Sequence, residues 1–421
     1  MRAQGAGPLV RDGKSSSSRA GPGVSNKVGD APNLLHGKSP SIFAPQPVVT
    51  DSQVNMAPDY DRVIRRYELQ AAARELLPRE GVANCMRGIV PKPGASYQVD
   101  VIYAPIKGQA HYGGLQTCRS VWHCPVCAAK ISERRREELS TALRIWSEEW
   151  KSEQHRLLLV TFTLQHNASD DLSIVLKALI RSRGLMVSGR GAKYLSETYG
   201  VVGMIRALEV TYGVSGWHPH LHVLMFFSQE VPIIPFEQEM KDRWSKCVTS
   251  SGRYASWQHG CDVRFSDADI AAYVTKWGKE PKWTASHEMT KAVTKKGKRG
   301  GKTPMQLLSD YSSGDAVAGR LWLQYAVNFR GQRQLYWTPG LRERLGLGKE
   351  RSDDEIAIEQ EEIGILLSSL TFGAWRVIVA NDARGELLEV ATTGDAEKLQ
   401  QFLDSLGVGK LSHKGGYNAA R

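Results

Sequence analysis

The chain contains no apolar run of about eighteen residues, which excludes a membrane-spanning helix. Its N-terminus is polar and rich in Gly and Ser, so the apolar core of a secretory signal is missing too. Cysteine is scarce, with six in 421 residues, and those few are unevenly placed. In an unexported chain of this size, clustered cysteines point to metal before disulfide. Acids are outnumbered: 44 Asp plus Glu stand against 55 Lys plus Arg, a net charge of +11. That balance points to a polyanionic partner and away from an acidic small substrate. The expectation is a cytoplasmic protein of two or three domains with no membrane contact.

Residues 1 to 58 are Gly-, Ser-, Pro- and Asn-rich and bury too little apolar surface to offset the entropy of ordering. They read as a disordered tail. A helical pattern then begins near Tyr60, with Val63, Tyr67, Ala71 and Leu76, and a β-like stretch spans Tyr97 to Tyr103. Between and after them lie the cysteines: Cys85, then Cys118, Cys124 and Cys127. Cys124-Pro-Val-Cys127 is a knuckle that presents two thiolates to one tetrahedral ion, and Cys118 is near enough to be a third ligand. Cys85 is the natural fourth, with His123 as its rival, and structural Zn2+ is the expected occupant. A helix follows from Ala128 to about Trp150, with an apolar line of Leu139, Leu143, Trp146 and Trp150. Arg134, Arg135 and Arg136 on it are either a phosphate-facing patch or an exposed face.

The most informative stretch is Trp217-His218-Pro219-His220-Leu221-His222, which runs into an apolar strand. Side chains two apart on a strand share a face, so His220 and His222 project together. Met204 to Tyr212 reads as a second strand, and Gly213 to Gly216 supply the turn of a hairpin. If Tyr212 and Trp217 flank that turn, Glu209 lies directly across from His220. Two imidazoles and a carboxylate suit Mg2+ or Mn2+ with open coordination positions. The competing reading is a core strand with satisfied histidines. His218, nearer the turn, is a spare ligand, a phosphate contact or a solvated loop residue.

Around this hairpin the pattern gives a central strand from Leu157 to Leu164. A helix capped at Ser169-Asp170-Asp171 follows, and another starts near Pro235. That order is an α+β layer with helices against an antiparallel sheet. Further on, Ile270, Val274 and Trp277 form the core stripe of a helix, and Asp269, Tyr273 and Lys276 line its neighbouring face. Lys291 to Lys302 is a Gly-punctuated basic loop, with six of its residues Lys or Arg. Thr303-Pro304-Met305-Gln306 opens a helix, and a longer one runs from about Asp315 to Phe329. Arg330 to Trp337 interleaves bases and aromatics, a pattern for stacking single-stranded bases or a buried strand end. Asp353 to about Leu370 reads as an acidic helix. Trp375 to Val379 and Glu386 to Val390 read as a hairpin, and Asp395 to Leu406 as a closing helix.

A divalent ion, a tyrosine and a basic surface belong together in DNA strand transfer through a phosphotyrosine. The residues resemble the rolling-circle replication initiators of small bacterial plasmids, within the HUH single-strand endonucleases. The resemblance is carried by Val160-Thr161-Phe162-Thr163-Leu164, His218-Pro219-His220-Leu221-His222 and Tyr273-Val274-Thr275-Lys276, with the tyrosine after the histidines. Thr303 to Leu308 and Gly340-Leu341-Arg342 are also similar to that family, and the likeness covers about Cys85 to Leu347. It implies the HUH nuclease fold, with Tyr273 as the single nucleophile that nicks a double-strand origin and stays joined to the 5′ phosphate. Some members place a glutamate four residues before the tyrosine to activate water, and Asp269 occupies that position. A host helicase and polymerase are the implied partners. Two alternatives stand beside this reading: an HUH-type transposase, and a zinc-containing DNA-binding regulator without chemistry.

The organisation expected is a tail (1–58), a helical zinc-binding module (59–150) and an endonuclease core (151–285). A basic loop with a helical DNA-binding extension (286–350) and a small C-terminal α+β segment (351–421) complete it.

Overall fold

Two long antiparallel strands, β4 (Val201–Gly213) and β5 (Gly216–Phe227), occupy the middle of a five-stranded sheet. The computed structural model describes residues 60–90, 97–149, 157–264, 301–359 and 364–408. β3 (Leu157–Phe162) pairs the free side of β5, and β6 (Cys261–Arg264) pairs β3. β7 (Leu335–Trp337) pairs β4, which gives the antiparallel order β6-β3-β5-β4-β7 with the histidine strand at the centre. Tyr212 pairs Trp217 and Gly213 pairs Gly216, so the turn is Val214-Ser215 and Glu209 stands opposite His220, as the sequence implies. Gly216 is required there. Its φ is +81°, and a Cβ would come within 2.9 Å of the Asn167 carbonyl oxygen.

The sheet buries both faces, unequally. One face carries Leu208, Val210, Leu221, Val223, Met225 and Phe227. These pack on α3 (Leu172–Met186) and α5 (Ile233–Ser250) through Val175, Leu179, Phe236 and Trp244. Asp171 caps α3, its carboxylate accepting from Ser173 N at 2.7 Å. A further helix, α4 (Gly189–Tyr199), ends on left-handed Gly200 and leads into β4; the sequence reading has no counterpart for it. The other face carries Leu159, Ile205, Leu224 and Phe226, covered by Leu139, Ala142 and Trp146 of α2 (Pro125–Glu149). Among the described residues this cover ends where the histidines begin.

A second, three-stranded sheet has the order β2-β1-β8. β1 (Gln98–Ala104) is the expected β-like stretch; β2 (Gln109–Gly113) and β8 (Ile365–Thr371) flank it. α1 (Tyr60–Leu76) and the C-terminal helices Phe372–Ala380, Arg384–Ala391 and Ala396–Ser405 pack around this sheet. Two sequence readings are corrected here. The acidic helix ends at Ile358, and Ile365 to Thr371 pair with β1 as a strand, because β1 offers an otherwise unpaired edge. Trp375–Val379 and Glu386–Val390 are helical and form no hairpin. Thr371 caps the first, accepting from Ala374 N, and puts Trp375 and Ile378 inward one turn apart. The second buries Leu387, Leu388 and Ala391 at helical spacing. Packing here overrides the β preference of Val and Ile. Among the described residues no helix is long and apolar enough to cross a membrane.

Candidate metal centres

His220 and His222 leave β5 on the half of the sheet beyond that cover, and Glu209 reaches them from β4. The Glu209 carboxylate lies 3.4 Å from His220 Nε2 and 3.6 Å from His222 Nε2, and the three ligand atoms sit within 4.8 Å of one another. The histidine side chains are 12% and 15% exposed and the glutamate 38%, so the cluster is framed by protein and open to solvent on one side.

Each imidazole is held by its other nitrogen. His220 Nδ1 lies 3.1 Å from the His218 carbonyl. A carbonyl only accepts, so Nδ1 is the donor in that contact, and Nε2 is the atom turned toward Glu209. His222 Nδ1 lies 3.0 Å from the Thr161 hydroxyl on β3, the strand next to β5. Such outer contacts fix ring orientation in metal sites. Burial, followed by the positive fields of His220 and Arg264, holds the His222 pKa down at about 4 against the pull of Glu209, so the ring is neutral at physiological pH. The donor set fits a hard divalent ion with open positions.

The sequence places Thr161 in a motif without giving it a task; the structure sets it against His222. His166 has no local signal at all. Its Nε2 lies 2.7 Å from His218 Nδ1 and its Nδ1 2.8 Å from the Ser215 carbonyl. His218 is therefore neither a solvated loop residue nor one of the three ligands. Its ring stacks on His220 at 5.0 Å, and burial with the nearby His220 and His166 lowers its pKa to about 4. Asp269, Tyr273, Lys276 and the basic loop as far as Gly300 lie outside the described residues.

The cysteines form the second cluster. Cys85, Cys118, Cys124 and Cys127 bring four sulfurs within 4.8 Å of one another. Cys85 Sγ lies 3.6 Å from both Cys124 Sγ and Cys127 Sγ, and Cys118 Sγ 3.8 Å from Cys127 Sγ. These separations are far beyond a disulfide bond of about 2.05 Å. They match the edge of about 3.8 Å in a tetrahedron of sulfurs about 2.3 Å from zinc. The Cys118 and Cys127 amides and the Gln70 side chain donate to the sulfurs. Gln70 also accepts from Arg384, a fully buried guanidinium of the C-terminal region, so both ends of the described chain meet behind the cluster. His123 is excluded as the fourth ligand, since its Nε2 is 2.8 Å from the Ala326 carbonyl. Burial raises the Cys124 thiol, but hydrogen bonds from the other three outweigh it and leave its pKa well lowered; Cys127 is pushed up by the same contacts.

The arginine run on α2 is paired internally. Arg134 meets Glu137 and Arg136 meets Glu133, while buried Arg135 meets Glu138, Glu350 and Asp353. Each of the three arginines thus has a carboxylate partner, and only Arg135 is buried.

Residues 111–363 match the family model described as Replication protein. The chain belongs to this family. The match bears out the resemblance to rolling-circle plasmid replication proteins drawn from the motifs. Within the family's span lie Cys118, Cys124, Cys127, Glu209, His220 and His222; Cys85 and Arg384 fall outside it. Two curated relatives come from Streptomyces. "Protein rep" of Streptomyces lividans is 30% identical over 311 residues, covering 57% of this chain and 66% of that protein. "Neomycin resistance protein" of Streptomyces cyanogenus is 33% identical over 139 residues, covering 27% of this chain and 30% of that protein. The chain thus spans just under two thirds of the first relative and less than a third of the second. No solved structure matches the chain.

Proposed function

We propose that the chain initiates plasmid rolling-circle replication by nicking one DNA strand at a double-strand origin through a covalent phosphotyrosine. The observation that supports this reading is the open cluster of Glu209, His220 and His222, with both imidazoles held by their Nδ1 atoms and their Nε2 atoms turned to the carboxylate. When bound, Mg2+ or Mn2+ supplies positive charge to a phosphoryl oxygen. Glu209 contributes the anionic ligand and the histidines the neutral pair. Thr161 keeps the His222 ring in place.

Tyr273 is the nucleophile. Its phenol oxygen bonds to phosphorus as the bond to the 3′ oxygen breaks. The phenol's proton passes to a base, and the departing oxygen takes up a proton to become the 3′ hydroxyl that primes synthesis. Lys276 makes the phenol easier to ionise, since a free phenol has a pKa near 10. Asp269, one helical turn earlier in the sequence pattern, positions water for the release step. Attack by the 3′ hydroxyl on the phosphotyrosine rejoins the strand. Cys85, Cys118, Cys124 and Cys127 hold a structural Zn2+, and a host helicase and polymerase extend the nick.

The test is covalent capture of a 3′-labelled single-stranded origin oligonucleotide, with mass spectrometry of the trapped peptide. Capture is expected in Mn2+ and absent in chelator. Tyr273→Phe should abolish it while leaving binding intact; capture by that variant would remove the nucleophile from this role.

A further inference from the structure

The cysteine cluster is completed by residues from outside the span of the family. Cys85 precedes that span, and Arg384, behind the sulfurs, follows it. Gln70 stands between Arg384 and Cys124, and both Gln70 and Arg384 are fully buried. The Gln70 Nε2 lies 3.2 Å from Cys124 Sγ, and its Oε1 lies 3.0 Å from Arg384 Nη1. A guanidinium only donates, so the end of the amide that meets it is the oxygen. The N–H end is therefore the one turned to the sulfur. Arg384 decides which end of Gln70 the cysteine meets.

Arg384 is itself fixed by its surroundings. Its Nη1 also lies 3.2 Å from the Met86 carbonyl, and its Nη2 2.9 Å from the Asp382 carboxylate. The guanidinium lies over the Tyr67 ring at 5.2 Å. Tyr67 and Gln70 are three residues apart on α1, so one face of that helix offers it both the ring and the amide. The Arg384 carbonyl accepts from the Tyr112 hydroxyl at 2.7 Å. Gly385 lets the helix Arg384–Ala391 come close to α1, since a Cβ there would lie 2.8 Å from Ile64 Cα.

Four thiolates around one divalent ion carry net negative charge. Burying that charge is costly unless donors or a cation answer it. The Cys118 amide answers Cys85, and the Cys127 amide answers Cys124. Gln70 adds a side-chain donor to Cys124, with the positive charge of Arg384 behind it. Groups in this outer position orient the ligands and set metal affinity.

We propose that Gln70 and Arg384 are positioning residues of the cysteine metal centre. Arg384 orients the Gln70 amide, the amide stabilises the Cys124 thiolate, and zinc affinity depends on both. The inference rests on the structural-zinc reading above and extends it to residues beyond the four sulfurs.

The experiment uses the full chain. Zinc content is measured by metal analysis, and zinc affinity by competition with a chromophoric chelator. Co2+ in place of zinc then reports the thiolates through their charge-transfer absorption. A thiolate that loses a hydrogen bond holds its lone pair less tightly, so the absorption moves to longer wavelength. Gln70→Met should weaken zinc binding by about 10–100-fold and move the absorption that way. Gln70→Glu keeps an acceptor for Arg384 but has no N–H for Cys124, and should move it in the same direction. Its fold does not depend on the outcome for Arg384→Met. Arg384→Met should weaken zinc binding and shift the absorption in the parent chain. In a chain already carrying Gln70→Met it should leave the absorption where it is, because it acts through the amide. Unchanged zinc affinity and absorption in Gln70→Met and Gln70→Glu would overturn the proposal, whatever happens to their melting temperatures. An Arg384→Met shift of equal size with and without Gln70→Met would overturn the part given to Arg384. A parent chain that holds no zinc would remove the zinc reading itself, and this inference with it.

Discussion

The two ligand clusters are built in opposite ways. The cysteine cluster gathers residues from Cys85 to Cys127, buries three of the four, and surrounds the sulfurs with N–H donors. Four thiolates would fill the coordination of a tetrahedral ion, as the proposed structural zinc requires. Glu209, His220 and His222 come from one hairpin, leave a side exposed, and offer three ligands to an ion that takes about six. On the reading proposed above, the fold would depend on the first cluster, and chemistry would take place at the second beside a fold already made. The difference predicts which substitutions break the protein and which only silence it.

The sharpest test of that contrast is Cys124→Ser. Structural zinc is worth about 10–16 kcal/mol in small zinc-dependent folds. The variant is expected to lose the one zinc per chain seen by metal analysis, and with it the cooperative melt. A variant that keeps its zinc and its melting temperature would show the cluster to be a set of buried thiols. At the open site, His222→Ala should lower nicking at least about a hundredfold, because a bound ion supplies several kcal/mol of transition-state stabilisation. Its melting temperature should stay near that of the parent chain; a collapse of the fold would erase the distinction between the clusters. Thr161→Val keeps the shape of the side chain and removes the hydroxyl facing His222. Affinity for Mn2+, measured by titration, should fall by about 10–100-fold, with nicking recovered at high Mn2+. No change in affinity would reduce Thr161 to a strand residue.

The smallest expected effect is a pH dependence. The folded protein keeps His222 neutral down to about pH 4, whereas the unfolded chain takes up a proton near 6.5. Stability from this group is therefore present above about 6.5 and lost as pH falls toward 4. His222→Gln should flatten that part of the profile of melting temperature against pH in metal-free protein. An identical slope in both proteins would assign the acid sensitivity elsewhere.

The hairpin was legible because its register follows from two glycines and from alternation alone: Glu209 and His220 lie opposite each other by counting from the turn. The cysteine set was legible from its Cys-Pro-Val-Cys knuckle, and the structure then chose Cys85 over His123. The helix start read equally well at Thr303, where Gln306 closes the capping box, and the closing helix expected from Asp395 to Leu406 runs from Ala396 to Ser405. What stayed hidden depends on partners distant in the chain. His166 meets His218 across 52 residues, and Thr161 meets His222 across 61. β8 becomes a strand only because β1 needs an edge partner.

Gln70 ties Cys124 to Arg384, and that tie has a consequence in time. Arg384 lies 257 residues beyond Cys127. At the usual pace of translation, about 5–20 residues per second, the ribosome needs roughly ten to fifty seconds to deliver it after the last cysteine. For that interval the nascent thiols lack part of their lid. If the thiols hold zinc as proposed, a cell short of zinc, or rich in oxidant, would do its damage then, before the finished protein exists.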